Sequence, residues 1–314
     1  MARRNQTTVT EFILLGFSDL PKLQSLLFIA FFFMYVLTVL GNASIITIIR
    51  ASLQLHTPMY FFISNLSILD LCYSSTITPQ LLVNLMVKKK TISLIGCAIQ
   101  FFSFTTLGTA ECYLLAMMAY DRYVAICNPL LYTSVMTRKM CIQLVTTVYI
   151  GGFVNSFTQV SNAFSLSFCG SNEIKQFFCD IPALLKLACS STVINETILS
   201  FMGFFITTIS LVVIILSYSY IIAAILRIRS AEGRQKAFST CSSHFITVIL
   251  FFGTLIIMYV IPSSHYSLNK SRMVSVVYTV IIPMLNPMIY SLRNNDVKNA
   301  LKKSFRPRRF SALK

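Results

Sequence analysis

Four ionisable residues stand where an apolar chain tolerates them least: Asp70, Glu111, Asp121 and Arg122. Each acid at mid-membrane depth costs about 2.5–3.5 kcal/mol on insertion scales, so such a residue is retained for use. Asp70 and Glu111 together suggest a shared compensating cation; a protonated, hydrogen-bonded pair is the alternative. Asp121 and Arg122 close a long apolar run, within Met-Ala-Tyr-Asp-Arg-Tyr-Val-Ala-Ile-Cys at residues 118–127. Charge at that position reads as a switch. Adjacent helical residues point in different directions, so the two are expected to have different partners. Bond-breaking chemistry is not encoded. There is no His-Glu-x-x-His or Gly-x-Ser-x-Gly, and no lysine between Met273 and Leu292 to form a Schiff base. The chain therefore reads as neither an enzyme nor a retinal protein. Two intramembrane acids are too few to line a transport path.

The elements that position these residues follow from composition. The chain of 314 residues is 55% hydrophobic and 11% charged, where a soluble domain carries roughly 25% charged residues. Charge-free runs recur at 23–49, 71–87, 91–110, 140–172, 197–226, 237–269 and 273–292. A helix needs about 20 residues to cross a bilayer. The pattern predicts an all-α membrane protein, a seven-transmembrane helix bundle in one domain over 1–314. The expected spans are about 25–49, 58–84, 96–128, 140–163, 197–226, 236–261 and 271–292. Strand alternation on the scale of a barrel is absent, and no internal repeat is visible.

An odd number of spans puts the termini on opposite sides. With residues 1–24 as an extracellular tail and 293–314 as a cytoplasmic tail, most of the 26 basic residues face the cytoplasm, as the positive-inside bias requires. Lys88-Lys89-Lys90 runs against it. The net charge of +16 then reads as topology and attraction to anionic membrane lipid; no basic-aromatic surface for nucleic acid exists outside the tail. Residues 1–22 carry no cleavable signal, so the first span is expected to direct insertion. Val297, Ala300 and Leu301 share one face, which predicts a short amphipathic C-terminal helix on the inner leaflet. Asn5 begins a glycosylation sequon on the outer tail; those at Asn195 and Asn269 lie close to the membrane, and that at Asn65 lies inside a span.

Four motifs resemble the olfactory (odorant) receptors, rhodopsin-like G-protein-coupled receptors, in their tetrapod-type class. They are Leu-His-Thr-Pro-Met-Tyr-Phe-Phe at 55–62, the Asp121-Arg122 motif at 118–127, Lys-Ala-Phe-Ser-Thr-Cys-Ser-Ser-His at 236–244 and Pro-Met-Leu-Asn-Pro-Met-Ile-Tyr at 283–290. They occur in the family's order and spacing. Leu131 stands where the family often has His. Phe251-Phe252-Gly253 replaces a common Phe-Tyr-Gly, so Phe252 lacks a hydroxyl. No tryptophan occurs.

The resemblance implies the following. A small odorant binds in the outer half and a stimulatory olfactory-type G protein is activated at the plasma membrane, raising cAMP. The alternative is a rhodopsin-like receptor for a non-odorant small molecule in another tissue. Coupling and switching fall to Asp121, Arg122, Tyr123, Tyr218, Lys236, His244, Asn286, Pro287 and Tyr290, with Lys236 and His244 at the start of the sixth span. Pro287 permits a kink, and Asn286 can satisfy the freed carbonyl or reach Asp70. Asp70 and Glu111 face each other as a structural Na⁺ site, with no other cofactor. Four outer cysteines allow three pairings; the resemblance favours Cys97–Cys179 with Cys169–Cys189, and Cys97–Cys189 is the alternative. Wide spacings and only 3 histidines argue against zinc.

Along the third span, Cys97 and Arg122 lie about 37 Å apart, with Glu111 about 16 Å above Arg122. Phe104, Thr105, Gly108, Thr109 and Cys112 share one helical face above it. By family analogy this face meets Met202, Gly203 and Ile206, then Phe252, Leu255 and Tyr259, then Tyr278 and Thr279. The lining is apolar with a few hydroxyls and no charge at ligand depth, which suits a neutral ligand.

Overall fold

The computed structural model describes residues 9–169, 171–259, 268–293 and 297–300. Helices dominate because a backbone in lipid must satisfy its own hydrogen bonds. Helix α1 (Gln24–Ala51) follows a tight turn begun by Pro21, and α2 (Pro58–Met86) starts on Pro58, where the missing N–H is harmless. Helix α3 (Leu94–Cys127) is capped by Ser93, whose hydroxyl accepts from the Gly96 N–H at 3.0 Å. It stops just before Pro129, as a following proline dictates.

A single-turn α4 (Tyr132–Val135) precedes α5 (Arg138–Phe164), capped by Thr137. After the short α6 (Ile181–Leu185) come α7 (Val193–Arg227) and α8 (Ala231–Tyr259). The last span is composite: α9 (Leu268–Val276), a π-helical turn (Val277–Ile281) and α10 (Ile282–Arg293). Residues 297–300 are helical again, with Val297 and Ala300 buried; Leu301 lies outside the described residues.

Among the described residues, five stretches are long and apolar enough to cross a membrane unaided: Pro21–Ala51, Leu94–Cys127, Arg138–Phe164, Val193–Arg227 and Arg272–Ser291. The second and sixth helices differ for a physical reason. Helix α2 buries residues along most of its length, polar ones such as Asp70, Ser74 and Thr78 included. Helix α8 begins at Ala231, before the expected residue 236, and only Cys241–Ile257 is strongly apolar. Its first turns are polar, with Glu232, Arg234 and Lys236 in sequence before the apolar stretch. Helix α3 is the hub, packed against α2, α5, α7 and α8.

The N-terminal segment is not a plain tail. Glu11–Leu14 forms β1, the centre of a three-stranded sheet. Its partners are β2 (Thr91–Ser93), antiparallel with Phe12 opposite Ile92, and β3 (Glu173–Ile174), parallel with Leu14 opposite Ile174. Phe12 and Leu14 are buried while Glu11 and Ile13 are half-buried, a period-2 pattern over four residues. Lys89 pairs with Glu11 at 2.9 Å and Lys90 donates to the Ser18 hydroxyl at 2.9 Å. These contacts account for two of the three lysines that the positive-inside bias leaves unexplained.

Helix contacts depend on small residues. A Cβ on Gly152 would lie 2.5 Å from the Thr106 carbonyl oxygen of α3. A Cβ on Gly253 would meet nothing within 4 Å. Gly152→Ala is therefore expected to force α5 off α3, at about 1–3 kcal/mol, and to lower surface expression several-fold. Gly253→Ala is expected to be neutral. Surface labelling normalised to total protein checks both.

Candidate functional site

At the C-terminal end of α3, Asp121 and Arg122 bind each other, against the expectation of separate partners. The Arg122 side chain folds back so that Nε donates to Asp121 Oδ2 at 3.0 Å and Nη2 reaches the same oxygen. Adjacent Cβ atoms diverge, but a guanidinium on a long flexible stem turns back to the neighbouring carboxylate. The Tyr132 hydroxyl on α4 donates to Asp121 Oδ1 at 2.9 Å. Both charges are buried, Asp121 at 1% and Arg122 at 8% exposure, which demands pairing of this kind.

His244 does not sit at the start of its helix. It is buried well inside α8 and ties three helices together. Its Nε2 faces the Leu115 carbonyl of α3 at 3.1 Å, and its Nδ1 lies 2.7 Å from the Tyr218 hydroxyl of α7. A carbonyl only accepts, so Nε2 carries the hydrogen and Nδ1 accepts from Tyr218. Met59, Met118, Asp121, Arg122 and His244 line one small cavity. Tyr123 points elsewhere, its ring 5.6 Å from Tyr220 of α7. The Ser243 hydroxyl donates to the Ile289 carbonyl of α10 at 3.3 Å, and Tyr290 is buried in the inner core. The side chains of Lys236, Ser239 and Thr240 lie outside those described.

Near the bundle's middle, Asn286 Nδ2 donates to both Asp70 oxygens, at 3.2 and 3.0 Å. Asn286 thus takes the second of its two expected roles. The carbonyl freed by Pro287 belongs to Pro283, and Asn42 Nδ2 of α1 supplies its hydrogen bond at 3.0 Å. Glu111 is buried, with Oε1 unpartnered, and lies within electrostatic reach of Asp70. Asn286 Oδ1 is buried and unpartnered as well. Two acids and an amide oxygen with vacant lone pairs form a donor set of the hard-oxygen kind that Na⁺ takes.

At the opposite end of the bundle, disulfides join Cys97 to Cys179 and Cys169 to Cys189, with Cα separations of 5.5 and 5.8 Å; the Cys97–Cys189 alternative does not form. The first ties the long loop to the top of α3, where the Cys179 N–H also donates to Gln100 Oε1 at 2.9 Å. The Phe104 ring then meets Phe178, Tyr73 and Tyr278, at 5.2, 5.3 and 6.1 Å. The expected single face of α3 divides. Gly108 continues Phe104 towards Tyr73, whereas the Thr109 hydroxyl accepts from Asn155 Nδ2 of α5 at 2.9 Å. Positions i and i+1 are about 100° apart on a helix, so i+4 and i+5 reach different neighbours. Thr105 is half-buried between them.

Cys112, Ile206 and Phe252 belong to the inner core cluster, with Leu255 packed against it. Met202 is half-buried and Gly203 is exposed with nothing near its Cα face. The Tyr278 hydroxyl lies 3.4 Å from the Ser275 hydroxyl, and Thr279 donates to the Ser275 carbonyl at 2.7 Å. Tyr259 is helical, its side chain outside those described; Asn5 also lies outside the described residues. The Asn195 amide is buried and donates to Asn162, which leaves that sequon closed to a glycan.

Sequence reasoning missed Phe178, Asp180 and Asn155. The first two flank Cys179, so the disulfide that pins Cys179 to α3 was the available signal. Asp180 also adds an acid near the ring cluster, where the sequence reading expects no charge at ligand depth. It is 4% exposed and within electrostatic reach of Tyr278. Burial pushes its carboxyl from 3.8 up to about 6, opposed by the Ile181 N–H that it accepts. A raised folded-state value means that stability is greatest below pH 3.8 and is lost as pH rises through about 6. The difference corresponds to about 3 kcal/mol. Asp180→Asn should flatten this part of the pH dependence, and melting curves of wild type and variant between pH 4 and 7 check it.

The sequence profile described as "Olfactory receptor" matches residues 31–308. Mouse olfactory receptor 5AP2 is 53% identical over 300 residues, covering 96% of this chain and 95% of its own. Mouse olfactory receptor 5P60 is 54% identical over 308 residues, covering 98% and 96%. Human olfactory receptor 5I1 is 52% identical over 303 residues, covering 96% of each. Similarity of this extent, on a helical bundle with buried polar groups at both ends, places the chain in the olfactory receptor family of multi-pass, seven-transmembrane receptors that are not enzymes.

Proposed function

We propose that this odorant receptor binds a small, neutral, mostly apolar volatile ligand in its outer half and activates a stimulatory olfactory-type G protein, raising cAMP. The observation that carries the reading is the contrast between the two ends of α3. Its inner end holds a buried, hydrogen-bonded ion pair beside His244, a polar junction of α3, α7 and α8. Its outer end holds aromatic rings under a disulfide-tied loop. Helices joined by a few buried polar contacts can adopt a second arrangement, as a transducer needs.

The proposed orientation puts the N-terminus outside and the C-terminus in the cytoplasm, at the plasma membrane. It is supported by the disulfides at the sheet-bearing end, since such bonds persist on the oxidising side. Phe104, Thr105, Gly108 and Tyr278 would contact ligand, with Phe178 above them; Thr109, committed to Asn155, would not. A ligand of about a dozen heavy atoms reaches roughly micromolar affinity, about −8 kcal/mol, within the usual per-atom ceiling. Asp70, Glu111 and Asn286 would hold a Na⁺ that offsets buried negative charge in the resting arrangement.

An odorant panel against a cAMP reporter tests the reading. Alcohols, ketones and esters are expected to give responses, and Phe104→Ala is expected to weaken them about tenfold or more through lost apolar contact. Responses confined to amines, and lost in Asp180→Asn, would replace the neutral ligand with a basic one. Silence to every volatile class while a non-volatile metabolite signals would overturn the odorant assignment.

A further inference from the structure

Beneath the N-terminal segment lies a second cavity, which meets the aromatic cluster only through Phe177, its ring 5.0 Å from that of Phe178. It is lined by Leu14, Leu15, Gly16, Phe17, Leu81, Asn84, Leu85, Lys90 and Phe177, and about 10 Å³ of it is open to a water-sized sphere. Only one small molecule or monatomic ion fits. Seven of these nine side chains are apolar or absent. The two polar ones, Asn84 and Lys90, both present hydrogens.

Asn84 is 6% exposed; its Oδ1 accepts from Gln80 at 3.0 Å, and its Nδ2 has no partner. Lys90 is half-buried at the wall, with Nζ donating to the Ser18 hydroxyl at 2.9 Å. Neither the Asn84 amide nitrogen nor an ammonium can accept, and no lining side chain brings a carboxylate. Glu11, the nearby acid, pairs with Lys89 instead. A buried donor without an acceptor costs about 1–3 kcal/mol, and a partly buried ammonium wants a counter-charge. A water would fill one acceptor role but needs acceptors of its own, and the one side-chain oxygen in the lining, Asn84 Oδ1, already accepts from Gln80.

We propose that this cavity is a monatomic anion site, filled by chloride, in which Asn84 Nδ2 and Lys90 Nζ bind the ion. Asn84 belongs to α2, Lys90 leads into β2, and Leu14 ends β1 with Leu15–Phe17 following it, so the ion joins the N-terminal segment to the bundle. Gly16 at φ +46° makes the turn that closes the cavity, its Cβ position 3.2 Å from the Phe177 side chain. The ion would therefore stabilise the sheet that covers the outer end of the bundle, and chloride concentration would tune that cover.

The test uses the purified full-length receptor in lipid nanodiscs. Thermal melting is followed while chloride replaces gluconate at constant ionic strength and pH. Wild type is expected to melt higher with rising chloride, to a saturating plateau, and bromide is expected to substitute. Asn84→Leu and Lys90→Gln should each abolish the chloride dependence. If either variant fails to fold, chloride-35 relaxation on wild type, or anomalous scattering from bromide-soaked crystals, reports binding directly. Equal melting in chloride and gluconate, full chloride dependence in both variants, or a cavity that holds water alone would overturn the proposal.

Discussion

Cys97→Ser is expected to hold the receptor inside the cell. The Cys97–Cys179 disulfide spans 82 residues, against 20 for Cys169–Cys189. In the chain-entropy account, a crosslink closing about 80–100 residues stabilises by about 4–5 kcal/mol, and one closing about 20 by about 3. Burial adds to the longer bond's effect. Both of its cysteines are fully buried, and Cys179 positions Phe178 and Asp180 over α3. Loss of this bond therefore releases the loop, β3 and the ring cluster together. Surface labelling normalised to total protein should fall roughly tenfold or more, since each 1.4 kcal/mol is a factor of ten in an equilibrium. Cys169→Ser/Cys189→Ser should fall less. Equal surface levels for Cys97→Ser and wild type would show that the loop is held by packing alone.

The second large effect concerns Asp121 and Arg122. A single Arg122→Ala would strand Asp121, a carboxylate 1% exposed whose remaining partner is the Tyr132 hydroxyl. Removing one member of a buried pair costs about 3–5 kcal/mol, so this variant should lose surface expression as well as signalling. The neutral pair Asp121→Asn/Arg122→Gln leaves no stranded charge and keeps hydrogen-bonding groups in place. It should reach the surface within about twofold of wild type, because a neutral pair avoids that penalty, while its cAMP response to any active odorant disappears. A full response at matched surface level would remove Arg122 from the transduction step. Tyr132→Phe isolates the third member: one hydrogen bond to a charged group, about 1.5–3 kcal/mol.

How much of this was legible in sequence varies by element. The apolar runs announced the bundle, because a span of about 20 residues carries its own signal. Helix α8 was placed late because its first turns are polar, and hydropathy does not mark a helix where it leaves the lipid. Strand β1 was overlooked because four residues of alternation are a weak signal beside 28-residue helices; its pairing with β2 and β3 depends on segments about 80 and 160 residues away. Asp121 and Arg122 stand out in the sequence as charges in an apolar setting, yet their partners do not. Helical periodicity locates Cβ directions, whereas a guanidinium reaches around them.

Residue types and their order were enough to determine that this chain lies in lipid and that Asp70, Glu111, Asp121 and Arg122 are costly enough to need partners. Each of those follows from a one-dimensional quantity: apolar run length or the solvation cost of a single charge. Only the tertiary structure decided which partners they have. Asp121 takes Arg122 and Tyr132, Asp70 takes Asn286, Asn42 rather than Asn286 mends the Pro287 kink, and Thr109 turns to Asn155 of α5. Those choices depend on the rotation and depth of neighbouring helices, which long-range packing sets and no local stretch of sequence contains.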